Sequence, residues 1–323
     1  MNSKEYKKAF EIMKSAKNIC IVGHMNPDGD TIGSGLALKS MLVSLRKHVD
    51  VYYDCKIMPR QFGYLLGYEK VFHNPVGDIP DFDLLIIVDL NVFDRMGCYQ
   101  KFYDVSKKTI IFDHHIAIEQ PKADVVIANK GAASCGEIIF EFFQENKIKI
   151  THDMANALYT AVSTDTGCFL YPSTTSETHM IAGELLKLGA DLELINYNNF
   201  RVFDRHLLAG IRTILKHMKM YCNGRVGVSG LKKEKYHGYA FDAEERDKFK
   251  KYISDVRGVM ASAFFYRDGN VWRCSLRSHG DINVEPIARH FGGGGHKHAA
   301  GFTIKGTYLG IVKQTVAQFE KLF

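Results

Sequence analysis

His24, Asp28 and Asp30 fall within seven positions of one another, in the stretch from Ile19 to Gly35 that reads ICIVGHMNPDGDTIGSG. Three further groups have the same chemical character: Asp89 after the apolar run Leu84 to Val88, Asp113-His114-His115 after Thr109 to Phe112, and Asp165 in the run STDTG. Carboxylates and imidazoles without a thiolate suit hard or borderline divalent ions such as manganese, magnesium, iron or zinc. Their number suits two ions rather than one, the equipment of metal-assisted hydrolysis. Singly, each has an ordinary explanation. An aspartate after a strand is commonly a turn former or a helix cap, and Asp30 before Thr31 fits an N-cap. The set as a whole points to metal.

Such a set needs a scaffold that gathers distant residues. Ile19 to Val22 reads as a buried strand that runs into the loop of His24, Asp28 and Asp30, with a helix from Ile32 to Leu45. Val49 to Tyr53 is a short strand, followed by a loop-rich passage with Gly63, Gly67, Pro75, Gly77 and Pro80. Leu84 to Val88 and Thr109 to Phe112 are uninterrupted apolar runs, as expected of strands buried on both faces. Helical patterns cover Ser134 to Gln144, Asp153 to Ser163 and Ser176 to Leu188, the last closed by Gly189. Strands alternating with helices predict an α/β fold with a doubly wound, mostly parallel sheet, and strand ends in such a sheet converge on one ligand-binding edge.

From Ala190 the pattern loosens. Asp204 to Lys219 then reads as a connector helix with Leu207, Leu208, Ile211, Ile214 and Leu215 on one side. Met220 to Val228 reads as a hairpin around Asn223-Gly224. It opens a smaller mixed α/β region with strands Ala261 to Phe265 and Val271 to Leu276, helices Ala243 to Ile253 and Val284 to His290, and a glycine loop, Gly292 to Gly295, before His296. The expected division is a metal-binding domain at 1–190, a helical linker at 191–219 and a second domain at 220–323.

The 323 residues are 46% hydrophobic and 24% charged, which excludes a disordered or collagen-like chain. The net charge of +6 favours an anionic partner, although a lysine-rich solubilising surface explains it equally well. Seven cysteines stand singly with no CxxC, which argues against a disulfide framework or a zinc-thiolate site and for reduced thiols in a cytoplasm. No apolar run approaches the length of a membrane span, and the N-terminal segment lacks the apolar core of a signal peptide. The expected location is cytoplasmic, without a membrane partner.

GHMNPDGDTIGS, VDL at Asp89, DHH at Asp113 to His115 and STDTG at Asp165 resemble, in order, the four motifs of the DHH phosphoesterase superfamily. GGGGHKHAAG resembles the glycine-rich motif of the DHH-associated C-terminal domain. The length and the second domain resemble the bacterial nano-RNase branch, which degrades very short oligoribonucleotides and dephosphorylates 3'-phosphoadenosine 5'-phosphate. The resemblance implies two divalent ions, with manganese the expected metal. One would be held by His24, Asp28 and Asp89, the other by Asp30, Asp89, His114 and Asp165, with Asp89 bridging. Asp113 would orient an imidazole, and His115 would meet the scissile phosphate.

In the second domain, Arg277 and His296 resemble positions that hold the terminal phosphate or base of the substrate. Gly293, Gly294 and Gly295 have the backbone freedom to turn N–H groups toward an anion. Arg95, six residues after Asp89, would reach the phosphate from the first domain. Metals on one domain and a clamp on the other imply a cleft that fits a short RNA with one end held. Hydrolysis of cyclic dinucleotides or their linear products is the sibling reading, and a non-catalytic nucleotide or RNA sensor is the alternative of a different class. A homodimer is left open.

Overall fold

The four buried residues of the first strand alternate between two cores. Ile19 and Ile21 enter one cluster, and Cys20 and Val22 enter another. Leu84, Ile86 and Val88 share the first core, while Leu85 and Ile87 share the second. Both faces of this sheet are therefore covered, which is why its strands read as continuous apolar runs. The structure is a computed structural model that describes residues 3–73, 79–90, 92–115, 122–203, 205–232, 241 and 243–323. Pro75, Gly77 and Asp204 lie outside the described residues.

The chain divides into two units, Met1–Val202 and Phe203–Phe323. The first runs α1 (Ser3–Ser15), β1 (Asn18–Val22), α2 (Gly29–Ser44), β2 (His48–Tyr53), β3 (Phe72–His73), β4 (Leu84–Val88), α3 (Gln100–Val105), β5 (Thr109–Asp113) and β6 (Val125–Ala128). It continues with α4 (Cys135–Glu145), α5 (His152–Asp165), α6 (Ser176–Lys187) and α7 (Leu192–Asn196). The six strands stand in the order β3-β2-β1-β4-β5-β6, all parallel. Winding reverses between β1 and β4, which pair from Ile19 with Leu84 to Val22 with Ile87. That boundary is where an open parallel sheet forms its ligand crevice, and His24 and Asp89 leave the sheet on its two sides.

Helix α5 lies close against α2 because glycines remove the side chains between them. A Cβ on Gly33 would fall 2.3 Å from the Ala157 carbonyl oxygen, and one on Gly29 would fall 2.3 Å from Thr164 Oγ1. From α4, a Cβ on Gly136 would meet the Ala161 methyl at 2.6 Å. The C-terminal end of α5, with Asp165, is thereby drawn to the first turn of α2.

The second unit contains α8 (Arg205–His217), β7 (Lys219–Tyr221), β8 (Val226–Leu231), α9 (Ala243–Ser254), β9 (Ala261–Asp268), β10 (Val271–Ser278), α10 (Glu285–His290), β11 (Gly294–His296), β12 (Ala299–Ile304) and α11 (Tyr308–Phe319). Its sheet runs β11-β12-β10-β9-β8-β7, with β8 and β9 parallel and the remaining pairs antiparallel. The expected linker is thus divided between the units. Leu192–Asn196 falls in the first, whereas α8 packs Leu207 and Ile214 against Leu231, Phe249 and Phe264 of the second. Leu208 and Leu215, grouped by periodicity with the buried face, are exposed. Among the described residues, no helix is long and apolar enough to cross a membrane.

The glycine tract departs from the loop expected for it. The N–H groups of Gly292 and Gly293 donate to Arg289 and Ala288 at the end of α10, and Gly294 onward forms the edge strand β11 paired with β12. Close approach explains the residue type: a Cβ on Gly293 would lie 2.1 Å from the Gly301 carbonyl oxygen, and one on Gly295, at φ +143°, would lie 2.5 Å from that of Ala299. These glycines admit a neighbouring backbone, and the N–H of Gly293 is already used within the fold.

Candidate metal centre

Asp28, not Asp30, is the N-cap of α2: its Oδ1 accepts the Thr31 N–H at 3.0 Å, while its Oδ2 lies 3.5 Å from His24 Nε2. Asp30 lies inside the first turn, 1% exposed. Its carboxylate accepts the N–H groups of Cys135 (2.7 Å) and Gly136 (2.9 Å) at the start of α4, and the Ser34 hydroxyl at 3.2 Å. A helix N-terminus is a natural partner for a buried carboxylate, and here it fixes the side chain over 105 residues of sequence.

Asp89 follows β4 directly with φ +55°, a left-handed conformation that few non-glycine residues adopt. The turn sends its carboxylate into the crevice, 2% exposed, where its two oxygens face opposite ways. Oδ2 lies 3.5 Å from His24 Nε2, and Oδ1 lies 3.4 Å from His114 Nε2. His114 Nε2 is also 3.4 Å from Asp165 Oδ2 and 3.7 Å from Asp30 Oδ2. Three groups of candidate ligand atoms result, each within 4.8 Å of one another: His24, Asp28 and Asp89; Asp30, His114 and Asp165; and Asp89, His114 and His115.

Both inner imidazoles are oriented through their far nitrogens. His24 Nδ1 lies 2.9 Å from the Met25 carbonyl oxygen, and His114 Nδ1 lies 3.4 Å from that of Ala132. A carbonyl only accepts, so Nδ1 carries a proton and Nε2 is the nitrogen turned to the cluster, where its lone pair would go to a cation. Asp89 Oδ1 and His114 Nε2 are buried without a hydrogen-bond partner among the described residues. Buried polar atoms are rarely left so, and the donor set of oxygen and imidazole nitrogen fits a hard or borderline divalent cation.

The electrostatics agree. Burial pushes Asp30 well above the usual carboxylate range, and the charges of Asp89 and Asp165 add to it. Burial also drives Asp165 up to about 7, with Asp28 and Asp89 contributing repulsion. Asp89 goes the other way: burial alone would raise it, but the imidazoles of His114 and His24 hold it well below the usual value. Burial would lower both histidines, yet the surrounding carboxylates bring each up to about 10. Without a cation, protons on the imidazoles compensate the carboxylates. A divalent cation displaces those protons and supplies the charge itself.

His115 stands apart from the inner imidazoles. It is 30% exposed, its Nδ1 lies 2.8 Å from Oδ1 of the fully buried Asp113, and the same oxygen accepts its backbone N–H at 3.2 Å. Asp113 thus contacts an imidazole, that of His115. Arg95 is part-buried, and its carbonyl accepts the Met25 N–H at 2.6 Å in the ligand loop. In the second unit the strand register aligns Ser262, Arg277, Ala299 and His296 on one rung of four adjacent strands. Residues directly opposite in a ladder share a face, so Arg277 and His296 flank the small Ala299 on one side of the sheet.

Thr31 and the N–H groups of Cys135 and Gly136 escape the sequence reading. The buried Thr31 hydroxyl donates to Asp89 Oδ2 at 2.7 Å, while its N–H donates to the capping Asp28 Oδ1 at 3.0 Å. Thr31→Val keeps the shape but removes the donor. It is expected to weaken divalent-cation affinity by about tenfold or more, the usual cost of losing a group that orients a ligand, with Thr31→Ser close to the parent. Calorimetric titration checks this, and a Thr31→Val protein with parental affinity would contradict it.

The model described as the DHH family, N-terminal domain, matches residues 18–162, and that of the DHHA1 domain matches 228–322. The bifunctional oligoribonuclease and PAP phosphatase NrnA of Thermus thermophilus is 29% identical, over 93% of this chain and 88% of that protein. The protein of the same name from Bacillus subtilis is 26% identical, over 87% of each. Among solved structures, an exopolyphosphatase-related protein from Bacteroides fragilis superposes with a TM-score of 0.87 at 25% identity, covering 99% of this chain and 98% of that one.

Proposed function

We propose that this chain, which matches the DHH N-terminal domain over residues 18–162 and the DHHA1 domain over 228–322, is a metal-dependent phosphoesterase that hydrolyses short oligoribonucleotides, such as dinucleotides, to mononucleotides. On the same reading it removes the 3'-phosphate of 3'-phosphoadenosine 5'-phosphate, in line with the names of its relatives. The observation that carries the reading is Asp89, whose two oxygens face separate ligand groups from a buried, left-handed turn.

We assign His24, Asp28 and Asp89 to one divalent cation and Asp30, Asp89, His114 and Asp165 to a second, manganese being the expected metal. Bound there, the cations supply an acidified water and positive charge against the phosphoryl oxygens. Within the chain, Asp113 fixes the His115 ring through Nδ1, and Nε2 donates to a phosphate oxygen or to the departing oxygen when the ring carries a second proton there. Arg277 supplies the planar, forked donor that suits a terminal phosphate, and His296 a second donor from the same face.

Product analysis of the manganese-loaded protein tests the proposal. The substrates are 5'-phosphorylated diadenosine, a long single-stranded RNA, cyclic di-AMP and 3'-phosphoadenosine 5'-phosphate. Rapid conversion of the dinucleotide to AMP with the long RNA nearly untouched is the expected result. Preference for cyclic di-AMP would move the activity to cyclic dinucleotides. No turnover of any substrate with metal bound would leave the non-catalytic sensor.

A further inference from the structure

Asp54 follows β2 directly, half-buried, and no motif includes it. It ties two segments that meet beside His24, where the Met25 N–H bonds the Arg95 carbonyl. Its backbone oxygen accepts the Asn26 N–H at 2.8 Å, within the loop that carries His24 and Asp28. Its Oδ2 accepts the Cys98 N–H at 2.8 Å, within the 3-10 segment Phe93–Tyr99 that carries Arg95. A third bond closes the circuit: the Met25 N–H donates to the Arg95 carbonyl at 2.6 Å, and the Met25 carbonyl in turn holds His24 Nδ1 at 2.9 Å.

Gly97 shows how tight this tie is. It passes over the carboxylate with φ +60° and ψ −134°, and a Cβ there would fall 2.0 Å from Asp54 Oδ2. A residue with a side chain would push the segment off its acceptor. Gly97 and Cys98 therefore seat on Asp54, while Arg95, two residues earlier, is bonded to the ligand loop through its own carbonyl. Among the described residues, the Arg95 guanidinium has no ion-pair partner that would compete with a phosphate for it.

We propose that Asp54 is a positioning residue that registers the 93–99 segment against the 24–28 loop, and so holds the Arg95 guanidinium where it meets a substrate phosphate. This rests on the reading of Arg95 as a phosphate contact. The role needs an acceptor for an N–H and not a charge. Asparagine, whose side-chain carbonyl accepts, fulfils it, whereas alanine does not.

The test uses the full chain loaded with manganese, as Asp54→Ala, Asp54→Asn, Arg95→Ala and the Asp54→Ala/Arg95→Ala double variant. Steady-state kinetics on 5'-phosphorylated diadenosine are combined with manganese titration and with hydrogen exchange of segment 93–99. Arg95→Ala is expected to raise KM by about tenfold, the scale of one charge-assisted hydrogen bond, without altering exchange. Asp54→Ala raises KM by about the same factor with kcat within about twofold, and it speeds exchange in 93–99. Asp54→Asn stays near the parent, manganese affinity is unchanged throughout, and the double variant is no worse than Arg95→Ala alone.

Full additivity of the two single effects would overturn the proposal, as would an Asp54→Asn protein as impaired as Asp54→Ala. A loss of manganese affinity in Asp54→Ala would show action on the ligand loop instead. Unchanged exchange in Asp54→Ala overturns the tie itself. An unchanged KM in Arg95→Ala alongside faster exchange in Asp54→Ala overturns the phosphate role of Arg95, so the two failures are distinguishable.

Discussion

Asp89→Asn is expected to reduce turnover by about a thousandfold or more, because on the proposed assignment its carboxylate would serve both cations, each of which would contribute several kcal/mol of charge stabilisation. The amide keeps the size of the side chain but presents one oxygen in place of two. Oδ2 now faces His24 and accepts from Thr31, and Oδ1 faces His114. Whichever oxygen survives, one set loses a ligand and both lose its negative charge. Manganese titration should therefore show weakened binding at both positions. Asp28→Asn serves as the contrast, since Asp28 belongs to the His24 set alone and should weaken one position. An Asp89→Asn protein that retained turnover, or that lost only one ion, would refute the bridging role.

The residues that gather at the candidate metal centre were legible because buried parallel strands write themselves as apolar runs. Leu84 to Val88 has no polar interruption until Asp89, and Thr109 to Phe112 has none until Asp113, so chemistry at the strand ends stands out. Which strands neighbour each other was not legible. The placement of β1 between β2 and β4 is made by pairings of distant segments, Ile19 with Val49 on one side and with Leu84 on the other, that no local pattern records. The same is true of the groups that hold these carboxylates. Thr31 meets Asp89 across 58 residues, and Cys135 meets Asp30 across 105.

In the second unit, four consecutive glycines look alike on paper, but they do different things in the fold. The N–H groups of Gly292 and Gly293 end α10, and Gly294 and Gly295 begin β11. Only the strand register reveals that Arg277 and His296 share a face, because His296 belongs to a strand three residues long that composition does not predict. Asp54 was invisible for a related reason: the bonds it makes are to backbone groups, whose presence any sequence would supply.

The same chemical change, glycine to alanine within a helix, should have opposite signs at two positions. Alanine is favoured over glycine in a helix interior by about 1 kcal/mol, so α2, with Gly29, Gly33 and Gly35 in 16 residues, carries a cost unless the space is needed elsewhere. At Gly33 it is needed. A methyl there would lie 2.3 Å from the Ala157 carbonyl and 3.1 Å from both the Ala161 methyl and its backbone nitrogen, in the part of α5 that leads to Asp165. Backbone cannot step aside as a side chain can, so α5 must shift. Gly33→Ala is expected to destabilise the protein by about 2 kcal/mol, lowering Tm by about 4–8 °C. Gly183 in α6 has open space around its Cβ position, so Gly183→Ala should stabilise by about 0.5–1 kcal/mol. The shift of α5 also withdraws Asp165 Oδ2 from its 3.4 Å approach to His114 Nε2, whereas His24, Asp28 and Asp89 do not depend on α5 for a ligand. In Gly33→Ala the cation position proposed at Asp30, Asp89, His114 and Asp165 should therefore weaken more than the other, a split that thermal melts with and without manganese, paired with titration, would reveal. Equal weakening of both positions would mean that α2 rather than α5 gives way, carrying Asp28 and Asp30 together.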